Sequence, residues 1–198
     1  MTQPPKKKIC LKTDASTSQS HQLVQHLPDF IQEYVARVQD VNSDGHCGFR
    51  AAAYCLGDKN IGLSQIQEDL VHEIKKQKTF YSKIGHYYDS DNVNQCLARI
   101  DTPEVGMVKE NHWMSMPFTG KLLANTYNRP VFYFSTQGSS SFLPHFSSPN
   151  NSLPIFIGFI PDQQHFVALD LKDPMNLPFP RSTDIRGGKK NADPKAYG

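Results

Sequence analysis

Asp44-Gly45-His46-Cys47-Gly48-Phe49-Arg50 is answered far down the chain by His165-Phe166-Val167-Ala168-Leu169. Phe49, Ala52, Ala53 and Leu56 recur at helical spacing and Gly57 supplies a stop, so Cys47 falls just before or within the first turn of a helix. A thiol near its ordinary pKa is mostly protonated at neutral pH, and the thiolate is the form that attacks a carbonyl carbon. A helix N-terminus favours that anion through its unpaired amides and the positive end of the macrodipole. Gly45 and Gly48 let the backbone turn sharply, so one turn can hold both a nucleophile and amides aimed at an oxyanion. The plainer alternative is a small buried cysteine at a strand-to-helix turn.

Working outward, Phe30, Ile31, Tyr34, Val35 and Val38 follow Asp29, an N-cap candidate, and predict an amphipathic helix ending near Val38. Ser64 and Gln67 form a capping-box pattern ahead of Ile66, Leu70, Val71 and Ile74, a helix running toward Lys78. Leu122, Leu123, Thr126 and Tyr127 predict another, capped by Thr119 and stopped around Asn128. Residues 79–112 carry too weak a period to assign.

The later runs Val131-Phe132-Tyr133-Phe134, Ile155-Phe156-Ile157-Gly158-Phe159-Ile160 and Phe166-Val167-Ala168-Leu169 are β-branched or aromatic and bounded by Pro, Gly and Asp. Such continuous apolar runs imply strands covered on both faces. The expected fold class is therefore α/β, a small central sheet of late-sequence strands flanked by helices on both sides. Residues 135–154 read as a long Ser/Pro/Asn-rich loop, either disordered or a substrate-facing flap. Residues 1–26 and 174–198 read as loose tails around one domain at 27–173. Lys6-Lys7-Lys8 reads as solvated charge, with a nuclear address the less favoured alternative.

A net charge of +2 argues against a dedicated nucleic-acid binder. Cys10, Cys47, Cys55 and Cys96 are irregularly spaced, with no Cys-x-x-Cys pair, which suggests neither a disulfide framework nor a zinc site and favours a reducing compartment. No apolar run approaches the about 20 residues of a membrane span, and no signal-peptide stretch opens the chain. An intracellular protein, cytoplasmic or nuclear, is expected, monomeric and without metal or cofactor.

Asp44-Gly45-His46-Cys47-Gly48-Phe49-Arg50 resembles the Asp-Gly-x-Cys-x-aromatic-Arg signature of the ovarian-tumour (OTU) family of cysteine deubiquitinases. His165-Phe166 resembles that family's His-aromatic pair opening a terminal strand, and Asn111-His112-Trp113-Met114-Ser115-Met116-Pro117 resembles its middle segment. Within the family, OTU domains of Mutator-like transposable elements look nearest. The resemblance implies a papain-like α+β hydrolase with Cys47 as nucleophile and His165 as base, cleaving after the C-terminal glycine of ubiquitin or a ubiquitin-like modifier. It further implies that Asp44 belongs to the catalytic set and that the backbone of Gly45, His46 and Cys47 cradles the oxyanion.

One position departs from the pattern. Many family members carry an acid or amide two residues after the histidine, where this chain has Val167, which cannot accept a hydrogen bond. Asp170 faces the other side of a regular strand. The ring's partner is then expected from Asp44, Asn42 or a backbone carbonyl; otherwise the chain is a weak or inactive ubiquitin-binding module. If the position is an empty orienting site, Val167→Asp or Val167→Asn should raise hydrolysis. Among the other candidates, Cys55 reads as core, His46 as pointing to solvent, and Trp113 as a core or cleft-wall aromatic, with substrate contact the alternative.

Overall fold

The computed structural model describes residues 22–57, 61–88, 93–102, 106–148 and 150–180. The three apolar runs are strands β2 (Val131–Phe134), β4 (Ile155–Ile160) and β5 (His165–Leu171). With β1 (Val35–Gln39) and β3 (Ser140–Phe142) they form one sheet in the order β1-β5-β4-β2-β3. β4 and β2 run parallel, and the other neighbours are antiparallel. β4 turns into β5 through a short 3-10 turn at Pro161–Gln163 and a left-handed Gln164 (φ 51°), so Ile160 pairs with His165. This tight hairpin makes the histidine the first residue of a central strand.

One face of the sheet carries the helices: α2 (Cys47–Leu56), α3 (Leu63–Lys76), α4 (Lys78–Tyr88), α5 (Val93–Ile100) and α6 (Phe118–Tyr127). Phe49, Ile66, Leu70, Phe118 and Leu122 pack there with Ile155, Ile157 and Phe166. On the other face Leu23, Leu27 and Ile31, the last in the four-residue helix α1 (Asp29–Gln32), cover Phe132, Phe156, Val167 and Leu169 together with Leu177. Each such buried aliphatic or aromatic side chain contributes about 1.5–3 kcal/mol, so the sheet is held from both sides. Both faces are covered by helices as expected, the second by the short pieces at 22–24 and Asp29–Gln32 with the segment that carries Leu177.

Several expectations change. The helix predicted through Val38 ends after Gln32 and gives way to β1. The pairing of β1 with β5 shifts register between Val35 and Arg37, and both Val35 and Val38 are buried in the same cluster. A bulge thus places valines three apart on one face and imitates a helical period. In α3 the capping box does not form: Ser64 Oγ donates to Glu68 Oε1 and Gln67 Nε2 to Thr102 Oγ1. Thr119 lies inside α6 rather than capping it, while Asn128 (φ 49°) ends the helix as expected. Gly57 (φ 71°) likewise closes α2, in the left-handed region that glycine adopts without cost.

The loop at 135–154 contains strand β3, paired with β2. The domain boundaries also move outward at both ends. Leu23 is buried, Phe179 packs on Phe132 with the tilted rings' centroids 4.4 Å apart, and Ser141 donates to the Pro180 carbonyl, so 22–26 and 174–180 belong to the packed domain. The remainder of both expected tails, Lys6-Lys7-Lys8 included, lies outside the described residues.

Candidate active site

Cys47 is the first residue of α2, buried at 8% exposure, and the earliest intrahelical bond runs from the Arg50 amide to the His46 carbonyl. The amides of Cys47, Gly48 and Phe49 therefore have no acceptor within the helix. The Cys47 thiol sits close enough to the His165 ring to be the largest influence on it. Residues remote in the chain are joined because α2 packs on β5 with its N-terminus beside the strand's first residue.

Asp40 completes the group, and the sequence reading missed it. Its Oδ1 lies 2.8 Å from His165 Nε2 and also accepts the Val41 amide at 2.8 Å. Extending the β1–β5 register by one residue sets Asp40 opposite Val167, which makes His165 its diagonal neighbour. A carboxylate on Nε2 selects the tautomer protonated there and leaves the Nδ1 lone pair for the thiol. The imidazole pKa is raised above its ordinary value, chiefly by the hydrogen bond to Cys47; burial opposes this and the bond to Asp40 reinforces it. The ring is thereby held in its protonated form to higher pH, the form that pairs with a thiolate.

Asp44 occupies a different place from the one expected. Its Oδ2 takes two hydrogen bonds from Arg50, at 2.6 Å from Nη2 and 3.0 Å from Nε, and its Oδ1 accepts the His46 amide at 3.0 Å. Burial pushes its carboxyl upward, but the Arg50 guanidinium and the His46 amide outweigh that and hold it below the ordinary value. Asp44 thus braces the turn from within, while the ring is oriented from β1. Because the His46 N–H is spent on Asp44, the oxyanion donors expected from Gly45, His46 and Cys47 reduce to Gly45 and Cys47. The His46 side chain is fully buried rather than turned to solvent.

Gly45 fits because nothing larger would. At φ 87°, a Cβ would stand 2.6 Å from Val108 Cγ2 and 2.7 Å from Trp113 Nε1. Trp113 donates from Nε1 to the Val108 carbonyl at 3.3 Å, and the Val108 amide donates to the Asp44 carbonyl at 3.0 Å. The indole and the turn are one packed unit.

A cleft of about 260 Å³ opens onto Cys47, walled by Trp113, Met114, Tyr133, Phe159 and Phe166. Trp113 is thus a cleft wall, as one of its two readings had it. Val167 is fully buried in the second face's cluster, packed with Leu169 and Leu27. Its position is no empty orienting site, and the expectation that an acid there would help is withdrawn. Asp170 faces away from His165, as expected, and accepts hydrogen bonds from Arg37 and Tyr54. The Cys55 thiol donates to the Phe156 carbonyl at 3.2 Å, and burial pushes its pKa to about 11, so it stays protonated and structural.

The five-stranded sheet with helices packed over it matches the papain-like α+β fold of an OTU domain. The chain superposes on the viral OTU protease of Taggert virus with a TM-score of 0.50 at 12% identity, over 72% of this chain and 83% of that one. Other similar structures are the Hazara virus OTU bound to ubiquitin (TM-score 0.49, 15% identity, 72% and 85% covered) and the OTUD1 OTU domain (0.47, 15%, 79% and 95%). No protein-family model matches the sequence, and no curated protein does.

Proposed function

We propose that this protein is a cysteine-type deubiquitinase, a thiol isopeptidase acting after the C-terminal glycine of ubiquitin or a ubiquitin-like modifier. The observation that carries the reading is the set Cys47, His165 and Asp40, whose cysteine opens onto an aromatic-walled cleft. The thiolate of Cys47 adds to the scissile carbonyl, and the amides of Gly45 and Cys47 receive the oxyanion. His165 delivers its Nδ1 proton to the departing lysine amine, leaving an acyl-enzyme. The neutral ring then takes a proton from water, which displaces the acyl group and regenerates the thiolate. Asp40 keeps the ring in one orientation and one tautomer throughout.

The space between Trp113 and the aromatic side chains of β4 and β5 opens directly onto Cys47 and would take a tail without side chains. The resemblance of the Asp44–Arg50 stretch to the OTU signature supports this choice of substrate. The inactive-module alternative rested on Val167, and with Asp40 holding Nε2 that ground is gone.

The test is a ubiquitin derivative carrying a thiol-reactive C-terminal warhead, applied to the wild type and to Cys47→Ala. Covalent labelling of the wild type that disappears in the variant is expected. Binding without labelling would overturn the enzymatic reading, and neither binding nor labelling would overturn the choice of modifier.

A further inference from the structure

Ser43 is exposed, immediately ahead of the Asp44 turn, and its Oγ lies 3.4 Å from His165 Nδ1. That nitrogen is the working one, since Asp40 occupies Nε2. At 3.4 Å the direct bond is weak, as O–H···N bonds of ordinary strength are several tenths of an ångström shorter. A contact this long opens readily to admit a water that bonds both the hydroxyl and Nδ1. Ser43 also stands on the solvent side of a ring that is itself buried, at 6% side-chain exposure.

We infer that Ser43 positions the hydrolytic water of the second half-reaction. Once the leaving group has carried off the Nδ1 proton, the ring nitrogen is a bare acceptor. A water donating one hydrogen to Nδ1 and held by the Ser43 hydroxyl lies beside the thioester of Cys47. Its oxygen forms the new bond to the acyl carbon, its proton passes to Nδ1, and the C–S bond breaks to return the thiolate. Ser43 is a positioning residue: it forms no bond to the acyl group. The inference rests on the thiol-hydrolase reading but not on the identity of the modifier.

The test uses p-nitrophenyl acetate, an ester whose fast acylation of a thiol leaves deacylation rate-limiting and which makes no demand on a modifier surface. For Ser43→Ala the burst rate and amplitude should match the wild type while the steady-state rate falls about 3- to 10-fold, the loss of one hydrogen bond to water. Ser43→Thr, which keeps the hydroxyl, should restore that rate. Hydroxylamine, which attacks the thioester without that water, should bring Ser43→Ala and wild type to the same turnover. Burst and steady state falling together would mean that Ser43 merely supports the ring, and an unchanged steady state would mean it has no role; either result overturns the inference. A wild type with no Cys47-dependent burst would overturn the thiol chemistry itself, a failure distinguishable from the other two.

Discussion

Asp40 and Asp44 stand four residues apart ahead of α2, and their partners lie in different parts of the chain. Asp44 is satisfied inside its own motif, by Arg50 and the His46 amide. Asp40 is satisfied across the sheet by His165. One braces local backbone shape and the other orients the His165 ring. A carboxylate's place in a sequence motif therefore does not fix its task; its partner does.

The comparison can be broken most sharply at Asp40. Asp40→Ala should lower kcat by about 10³- to 10⁴-fold with the fold intact, since an unoriented imidazole adopts the wrong tautomer. Asp40→Asn, which keeps an oxygen for Nε2–H, should recover part of that loss. Turnover of a fluorogenic ubiquitin substrate together with thermal melting checks both, and an Asp40→Ala enzyme with near-normal kcat would end the distinction. Val167→Asp comes next, because an unpaired carboxylate would enter a fully buried apolar cluster. It should destabilise the domain by about 3 kcal/mol or more in urea unfolding, with no gain in rate.

Arg50→Ala should cost about 1–3 kcal/mol, the penalty for leaving a half-buried carboxylate without its bidentate partner. Unlike Asp40→Ala, it should lower stability and activity together. The smallest effects are in pH dependence, and they have opposite signs. His165 has a raised pKa, so its pairing stabilises below the ordinary imidazole value and fades as pH rises through the folded value. Asp40→Asn should therefore move the alkaline limb of kcat/KM to lower pH. Asp44 has a depressed pKa, so its pairing stabilises above the ordinary carboxylate value and is lost as pH falls through the folded one. Asp44→Asn should flatten the acid side of the stability profile and leave the alkaline limb in place.

The sequence disclosed local features and concealed those that depend on sheet pairing. The helix opening at Cys47, its stop at Gly57 and the three late strands were legible because each is written in neighbouring residues. Asp40 was not, because β1 hides behind a bulge that gives Val35 and Val38 a helical spacing; once that stretch is read as a helix, nothing places Asp40 beside a histidine on β5. The two helices at Lys78–Tyr88 and Val93–Ile100 escaped for a related reason. Val93, Cys96 and Ile100 are buried at i, i+3 and i+7, a stripe that eight residues make too short to stand out, so tertiary packing supplies what length does not.

The run from Leu177 to Pro180 acts as a strap across the back of the sheet, pinned at Phe132 and at Ser141. A recombinant fragment cut after Asp173, where composition alone would end the domain, would lay bare aromatic surface from β2 and invite self-association. The usable limit for crystallisation or display is Pro180 or beyond.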